Sequence, residues 1–253
     1  MKIKITICYN GQNFVGWQTQ NNGRSVQEEI EKTLSFLFDE KTKIVGSGRT
    51  DAKVHALGQV ASFEASSQKF VKNFTNKSCL NEKKLVSAIN ANLPTDIKIL
   101  SAQQVQDSFH ARFDTKQKTY LYRLQVGTNP LTEGFVGVVN LCPDIKLMKK
   151  AGKYLFGEHD FSAFCSSKTE TKTFVRKIYK IKITKVSPIE FDFEITGNGF
   201  LYNMVRIIVG TLYEAGIGKI SPKDTKTILS LKDRKKAGKT APACGLYLKE
   251  VKY

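Results

Sequence analysis

No apolar run in this sequence approaches the ~18 residues that a helix needs to cross a bilayer, so no membrane span is expected. Nor does it open like a signal peptide. Ile3, Ile5 and Ile7 alternate with polar residues as a half-buried strand would, and the expected location is cytoplasmic. The five cysteines, Cys8, Cys79, Cys142, Cys165 and Cys244, form no CxxC pair and are odd in number, which argues against a zinc site or a disulfide framework and for reduced thiols. The three histidines, His55, His110 and His159, lie far apart, so no metal site is expected. A phosphate-binding loop, GxSxG, HExxH and GxGxxG are all missing, which removes the common nucleotide-binding, serine-hydrolase, metalloprotease and dinucleotide-binding signatures. Acidic residues are also short: 23 stand against 40 Lys and Arg, a net charge of +17. Charge of one sign on that scale repels itself in a compact state and suits a polyanionic partner such as nucleic acid, although lysine-rich solvated faces would look the same.

The remaining pattern is that of a folded α+β protein, with 41% hydrophobic and 25% charged residues over 253 positions. Residues 2 to 9, KIKITICY, alternate as a strand. Ser25 with Glu28 forms a capping box, and Val26, Ile30, Leu34 and Leu37 stripe the helix that follows. Short strands over 43–46 and 59–64 flank a glycine-rich loop, a helix carrying Leu85, Val86 and Ile89 stops by Pro94, and 96–105 is a further strand. The second half repeats the order: a strand at 118–126, a helix striped by Leu147, Met148, Ala151, Tyr154 and Leu155 with Gly157 as its cap, strands IYKIKITKV and EFDFEIT, a helix from about 201 to 215 burying Val205, Ile208, Val209 and Leu212, and a closing strand GLYLKEVKY. Each half thus reads β-α-β-β-α-β, the split-βαβ order of ferredoxin-like and RRM-like domains. The expected fold is α+β: two ferredoxin-like halves, residues 1–107 and 108–253, joined into one continuous antiparallel sheet with a central cleft. Residues 66–84, polar and lysine-rich without periodicity, read as a surface insertion, and 232–242 as a basic loop that could touch phosphates or simply be solvated.

Among candidate reactive groups, Asp51 in GSGRTDAKVHALGQVASF, residues 46 to 63, has the most suggestive neighbours. A carboxylate kept ionised by a nearby cation can attack a sugar carbon or an unsaturated carbon; the competing reading is a turn residue bonding backbone amides in a glycine-rich bend. Arg49 shares the side of Asp51 only if the loop stays regular. Arg206, set among core-facing Val205, Ile208 and Val209, is drawn partly inside, where it would need a carboxylate and would hold that acid ionised, unless it snorkels to water. Tyr120, Tyr122, Leu124 and Val126 share a strand face that is either core or, in a basic protein, a place for a nucleobase to stack. FHARFDTKQK, at 109 to 118, mixes aromatic and basic residues as recognition of looped RNA favours.

In order along the chain, NFVGWQ, SVQEEIEKTL, GSGRTDAKVHALGQV, NANLP, DSFHARF, KTYLYRL, GEHDFSAF, NMVRIIVGTLYEAG and APACGLYL resemble the motifs of the tRNA pseudouridine synthase A (TruA) family, over nearly the whole length. The resemblance implies an isomerase that converts uridine to pseudouridine at nucleotides 38, 39 and 40 of the tRNA anticodon stem-loop, without metal or organic cofactor. It further implies Asp51 as nucleophile, Tyr120 as the ring against the target uracil, and Arg206 as the partner of the aspartate. Implied RNA contacts are Phe109, His110, Ala111, Arg112 and Phe113, and Lys168, Thr169, Glu170, Thr171 and Lys172; Arg49 beside the nucleophile is grouped with them. The implied assembly is a homodimer whose subunits both touch one tRNA.

Lys53 departs from the family pattern, which has glycine there; if the position needs a positive φ, lysine strains it by ~1 kcal/mol, and otherwise it adds a phosphate contact. Two other readings compete. A non-catalytic RNA-binding module of the same fold would use the charge and aromatics but not Asp51, and a glycosidase-like hydrolase would need a second acid near Asp51 that the sequence does not supply.

Overall fold

The computed structural model describes residues 1–76, 79–166 and 171–253, and the chain divides into two compact units, Met1–Lys116 with Leu248–Tyr253, and Gln117–Tyr247. Both are mixed α and β.

In the first unit β1 (Lys2–Tyr9) is followed by α1 (Val26–Phe38), β2 (Val45–Gly46) and β3 (His55–Glu64). Then come α2 (Gln68–Phe74), β4 (Thr75–Asn76), β5 (Cys79–Leu80), α3 (Glu82–Asn92) and β6 (Ile97–Val105). β1 pairs antiparallel with both β3 and β6, and β2 pairs antiparallel with β3, so the strands lie in the order β6-β1-β3-β2. Alternation does what it should in β1, where Ile3, Ile5, Ile7 and Tyr9 are buried. α1 begins as the capping box predicts, with Ser25 Oγ accepting from Glu28 N–H at 3.3 Å. Its buried stripe is Val26, Ile30, Leu34 and Phe38, so Phe38 rather than Leu37 closes it. The reason lies in residues 66–84. The part of that surface insertion over 66–76 is ordered against the unit: Ser67 caps α2, and Phe70 and Phe74, four residues apart, are buried against Phe38 at 5.0 and 5.8 Å between ring centroids. Two buried residues in seven are too few to register as periodicity, yet each buried phenylalanine contributes ~1.5–3 kcal/mol.

The second unit contains β7 (Gln117–Val126), β8 (Gly137–Val139), α4 (Ile145–Gly152), β9 (Gly157–Asp160), β10 (Val175–Lys185), β11 (Glu190–Gly197), α5 (Met204–Gly216) and α6 (Asp224–Leu231). β12 (Leu246–Lys252) ends the chain, and its residues from Leu248 onward belong to the first unit. β11 pairs antiparallel with β7 and β10, β10 with β9, and β8 lies parallel on β7. Phe191, Phe193 and Ile195 share the buried face of β11 as the alternation requires. α4 is shorter than its stripe suggested and tightens into a 3-10 turn over Lys153–Leu155, while α6, which the sequence reading missed, buries Thr225, Ile228 and Leu229 at helical spacing. α5 is buried on nearly every side. The basic stretch 232–242 is no free loop: Gly238 N–H donates to Thr211 Oγ1 at 2.9 Å, and a Cβ on Gly210 would overlap the Lys239 carbonyl, so the loop is docked on α5. Arg234 ties the loop to itself through Ala237 O, Gly238 O and Thr240 Oγ1.

Candidate active site

Asp51 sits on a bend that its own unit grips at successive residues. Upstream, the buried carboxamide of Gln59 accepts from Ser47 Oγ at 2.6 Å and donates to Gly48 O at 2.9 Å. Thr50 is held at two atoms: Oγ1 shares a 2.7 Å hydrogen bond with the Tyr9 phenol, and its carbonyl accepts from Trp17 N–H at 3.0 Å. Asp51 forms an antiparallel bridge with Gly16, whose φ of +119° and whose missing Cβ, which would lie 2.7 Å from Thr50 O, make glycine necessary there. Downstream, Lys53 adopts φ 64°, the left-handed conformation that a glycine would take without strain, and Val54 N–H returns to Asp51 O at 3.2 Å. His55, 1% exposed, accepts Gly11 N–H on Nδ1 at 3.1 Å, so the neutral ring carries its hydrogen on Nε2. Thr50 therefore turns inward, Asp51 is half-buried, and Arg49 and Lys53 are exposed on either side of it.

The segment 109–115 belongs to the same unit. Ala111 is fully buried, and its carbonyl accepts from Tyr253 Oη at 2.7 Å and Thr115 Oγ1 at 3.0 Å. Phe109 packs on the Tyr253 ring at 4.9 Å, with the Lys4 ammonium over both rings. His110, Arg112 and Phe113 form the outer side. His110 Nδ1 accepts from the N–H groups of Arg112 and Phe113, its ring stacks on Phe113 at 4.2 Å, and Phe113 is 73% exposed with the Arg112 guanidinium 5.6 Å from its centre. Burial pushes the Tyr253 phenol up to about 12.

Tyr120 and Arg206 lie in the second unit. Tyr120, opposite Ile195 on β11, is half-buried and meets the Phe200 ring edge-on at 5.1 Å and 86°. Phe200 was not singled out from sequence, although it stands six residues before Arg206 in the same stretch. The Arg206 guanidinium is tethered inside its own unit: Nε donates to Ala241 O at 2.7 Å and Nη1 to Asn203 Oδ1 at 2.7 Å. Asn203, at the left-handed N-cap of α5 with φ 60°, donates in turn from Nδ2 to Ser166 Oγ. Tyr122 Oη donates to Pro242 O at 3.0 Å, and burial drives that phenol far above its ordinary range. Lys172 is exposed, and Thr171 Oγ1 accepts from Arg176 Nη2 at 3.3 Å, whose guanidinium pKa burial lowers. Lys168, Thr169 and Glu170 lie outside the described residues. Among the described residues no three His, Cys, Asp or Glu gather as metal ligands, and no helix is long and apolar enough to cross a membrane.

The family model described as tRNA pseudouridine synthase matches residues 5–114 and 151–253. Similar proteins include tRNA pseudouridine synthase A of Acetivibrio thermocellus, 44% identical over 253 residues, covering 99% of each chain. That of Anoxybacillus flavithermus is 43% identical over 254 residues, covering 100% of this chain and 98% of its own. That of Bacillus subtilis is 42% identical over 257 residues, covering 100% of this chain and 99% of its own. Matched along its whole length at this identity, the chain belongs to the tRNA pseudouridine synthase family, and pseudouridine synthases are isomerases.

Proposed function

We propose that the chain isomerises uridine to pseudouridine at positions 38, 39 and 40 of the tRNA anticodon stem-loop, with Asp51 as nucleophile. One observation carries the reading: Asp51 is half-buried, with its backbone bridged to Gly16 and its neighbour Thr50 anchored through side chain and carbonyl. An ordinary turn aspartate has no need of such restraint, whereas a nucleophile must meet its carbon in one geometry.

The reaction breaks the N1–C1′ bond, turns the base, and joins C5 to C1′; the hydrogen on C5 leaves to solvent and N1 gains one, so nothing is gained or lost overall. A carboxylate serves each route to that outcome, by attack on C1′, by attack on C6, or by promoting elimination to a glycal. The target base must leave its stack to be reached. Tyr120, braced edge-on by Phe200, suits one wall of the pocket that receives it. Arg206 is assigned as the cation that holds Asp51 ionised; two tethers orient its plane, and a guanidinium has five N–H donors, so donors remain for a carboxylate.

The outward surface of His110, Arg112 and Phe113 supports RNA contact there, with Phe109 and Ala111 holding the segment in shape, and Lys168, Thr169, Glu170, Thr171, Lys172 and Arg49 belong to the same proposed interface. The antiparallel order β6-β1-β3-β2 supports a ferredoxin-like reading of the first unit. A cytoplasmic homodimer is part of the same proposal. The test is an unmodified tRNA transcript tritiated at uracil C5. Label should be released by the chain and not by Asp51→Asn, which should still bind tRNA; no release by the parent chain with binding intact sinks the enzymatic reading and leaves an RNA-binding module.

A further inference from the structure

The bond between Tyr9 and Thr50 is a short one between two buried hydroxyls, 41 residues apart in sequence and immediately before the proposed nucleophile. We infer that this pair positions Asp51: Tyr9 and Thr50 are positioning residues for the reaction, setting the rotation of the bend so that the carboxylate next in sequence faces outward.

The geometry supplies the argument. Tyr9 is the last residue of β1, 3% exposed, with its ring 6.2 Å from the Trp17 ring, so its phenol oxygen is held by the sheet at one end and by packing along its side. Trp17 is itself 3% exposed and fills the space over Gly46, where a Cβ would lie 2.7 Å from the indole. The same Trp17 donates its backbone N–H to the Thr50 carbonyl. Tyr9 and Trp17 therefore act as one rigid pair that takes Thr50 by its hydroxyl and by its carbonyl. With Thr50 turned inward and held at both atoms, Asp51, one residue on and bridged to Gly16, is left facing the other way.

Fold stability alone does not call for hydroxyls here. A buried hydrogen-bonded pair contributes little net stability, and replacing both partners by apolar groups of the same shape is close to neutral. What two hydroxyls supply and a Phe/Val pair does not is direction, since a hydrogen bond fixes an angle as well as a separation. A small displacement of a reacting group is enough to slow a reaction heavily.

The inference rests on the reading of Asp51 as nucleophile, and the test separates the two. Tyr9→Phe and Thr50→Val are each measured for kcat, for KM on tRNA and for thermal midpoint, together with the double variant, with Thr50→Ser and with Asp51→Asn. Expected is a kcat reduced roughly 10- to 100-fold in both single variants, with KM within about twofold. The double variant should be no slower than either single one, because all remove the same bond, and should recover thermal stability through its apolar pair without recovering kcat. Thr50→Ser keeps the hydroxyl and should regain most of the turnover that Thr50→Val loses. If Asp51→Asn is inactive while Tyr9→Phe and Thr50→Val keep parental kcat, or if their kcat returns with stability in the double variant, positioning is overturned and the nucleophile stands. If Asp51→Asn turns over like the parent chain, the nucleophile reading fails and takes this inference with it.

Discussion

Arg206 and Tyr122 hold consecutive carbonyls of one segment, Arg206 Nε the oxygen of Ala241 at 2.7 Å and Tyr122 Oη that of Pro242 at 3.0 Å. The segment that begins as a basic loop is thereby locked to both α5 and β7, and the guanidinium is oriented before any substrate arrives. A lysine carries its three donors on a single nitrogen, so it cannot span tethers set at Nε and Nη1 and also face the carboxylate assigned to Arg206 in the proposed function. Arg206→Lys should therefore lower tritium release by about 100-fold or more, the cost of losing a preorganised donor, although the charge is kept.

Lys53 is strained by its φ of 64°. Lys53→Gly should raise stability in urea unfolding by about 0.5–1 kcal/mol, as glycine adopts this conformation freely but loses more backbone entropy on folding. Lys53→Ala keeps the Cβ and should show no such gain. If the ammonium also meets a tRNA phosphate, KM should rise in both variants, and more steeply at low salt.

Phe70→Ala should destabilise the protein by ~3–5 kcal/mol, the usual result of emptying an aromatic site in a core. Val71→Ser, on the exposed side of the same helix, should change stability by less than about 0.5 kcal/mol. Equal effects from the two would mean that α2 is not packed on Phe38.

Phe113→Ala and Arg112→Ala should leave the thermal midpoint unchanged, since Phe113 is 73% exposed and Arg112 is also exposed. Loss of a stacked base contact is worth ~1–3 kcal/mol, so KM for tRNA should rise roughly fivefold or more. Unchanged KM in both variants would remove this surface from the RNA interface.

Tyr253 governs an alkaline limit. Its phenol keeps its proton to about pH 12 in the folded chain, because burial disfavours the anion, against an ordinary value of 10.0 when unfolded. The unfolded state releases this proton first, so the contribution is fully present below pH 10 and is lost as pH rises towards 12. Urea titrations at intervals between those limits should show a shallower loss of stability for Tyr253→Phe than for the parent chain.

Much of the local structure was legible because it is written within a few residues. Ser25 and Glu28 announced the start of α1, and the alternation of residues 2 to 9 and 190 to 196 announced β1 and β11. α2 and α6 were not legible. Each buries two or three residues in a polar stretch, and a stripe that thin shows only once the surface it covers is known. The proposed site residues divide in the same way: Asp51 and Arg206 stood out by residue type and neighbours and Tyr120 through the resemblance, while Phe200 and Tyr9 did not, being ordinary aromatics whose value depends on what they touch.

Taken alone, the amino-acid order determined the alternating strands, the capped helix, the basic charge and the motif that carries Asp51, because propensity, periodicity and capping act over three or four residues. Only the tertiary structure decided that Thr50 is held by a phenol 41 positions away and Arg206 by a carbonyl 35 positions away. Such bonds depend on which strands pair and in what register, and register is settled by burying whole faces together rather than by any short stretch of chain.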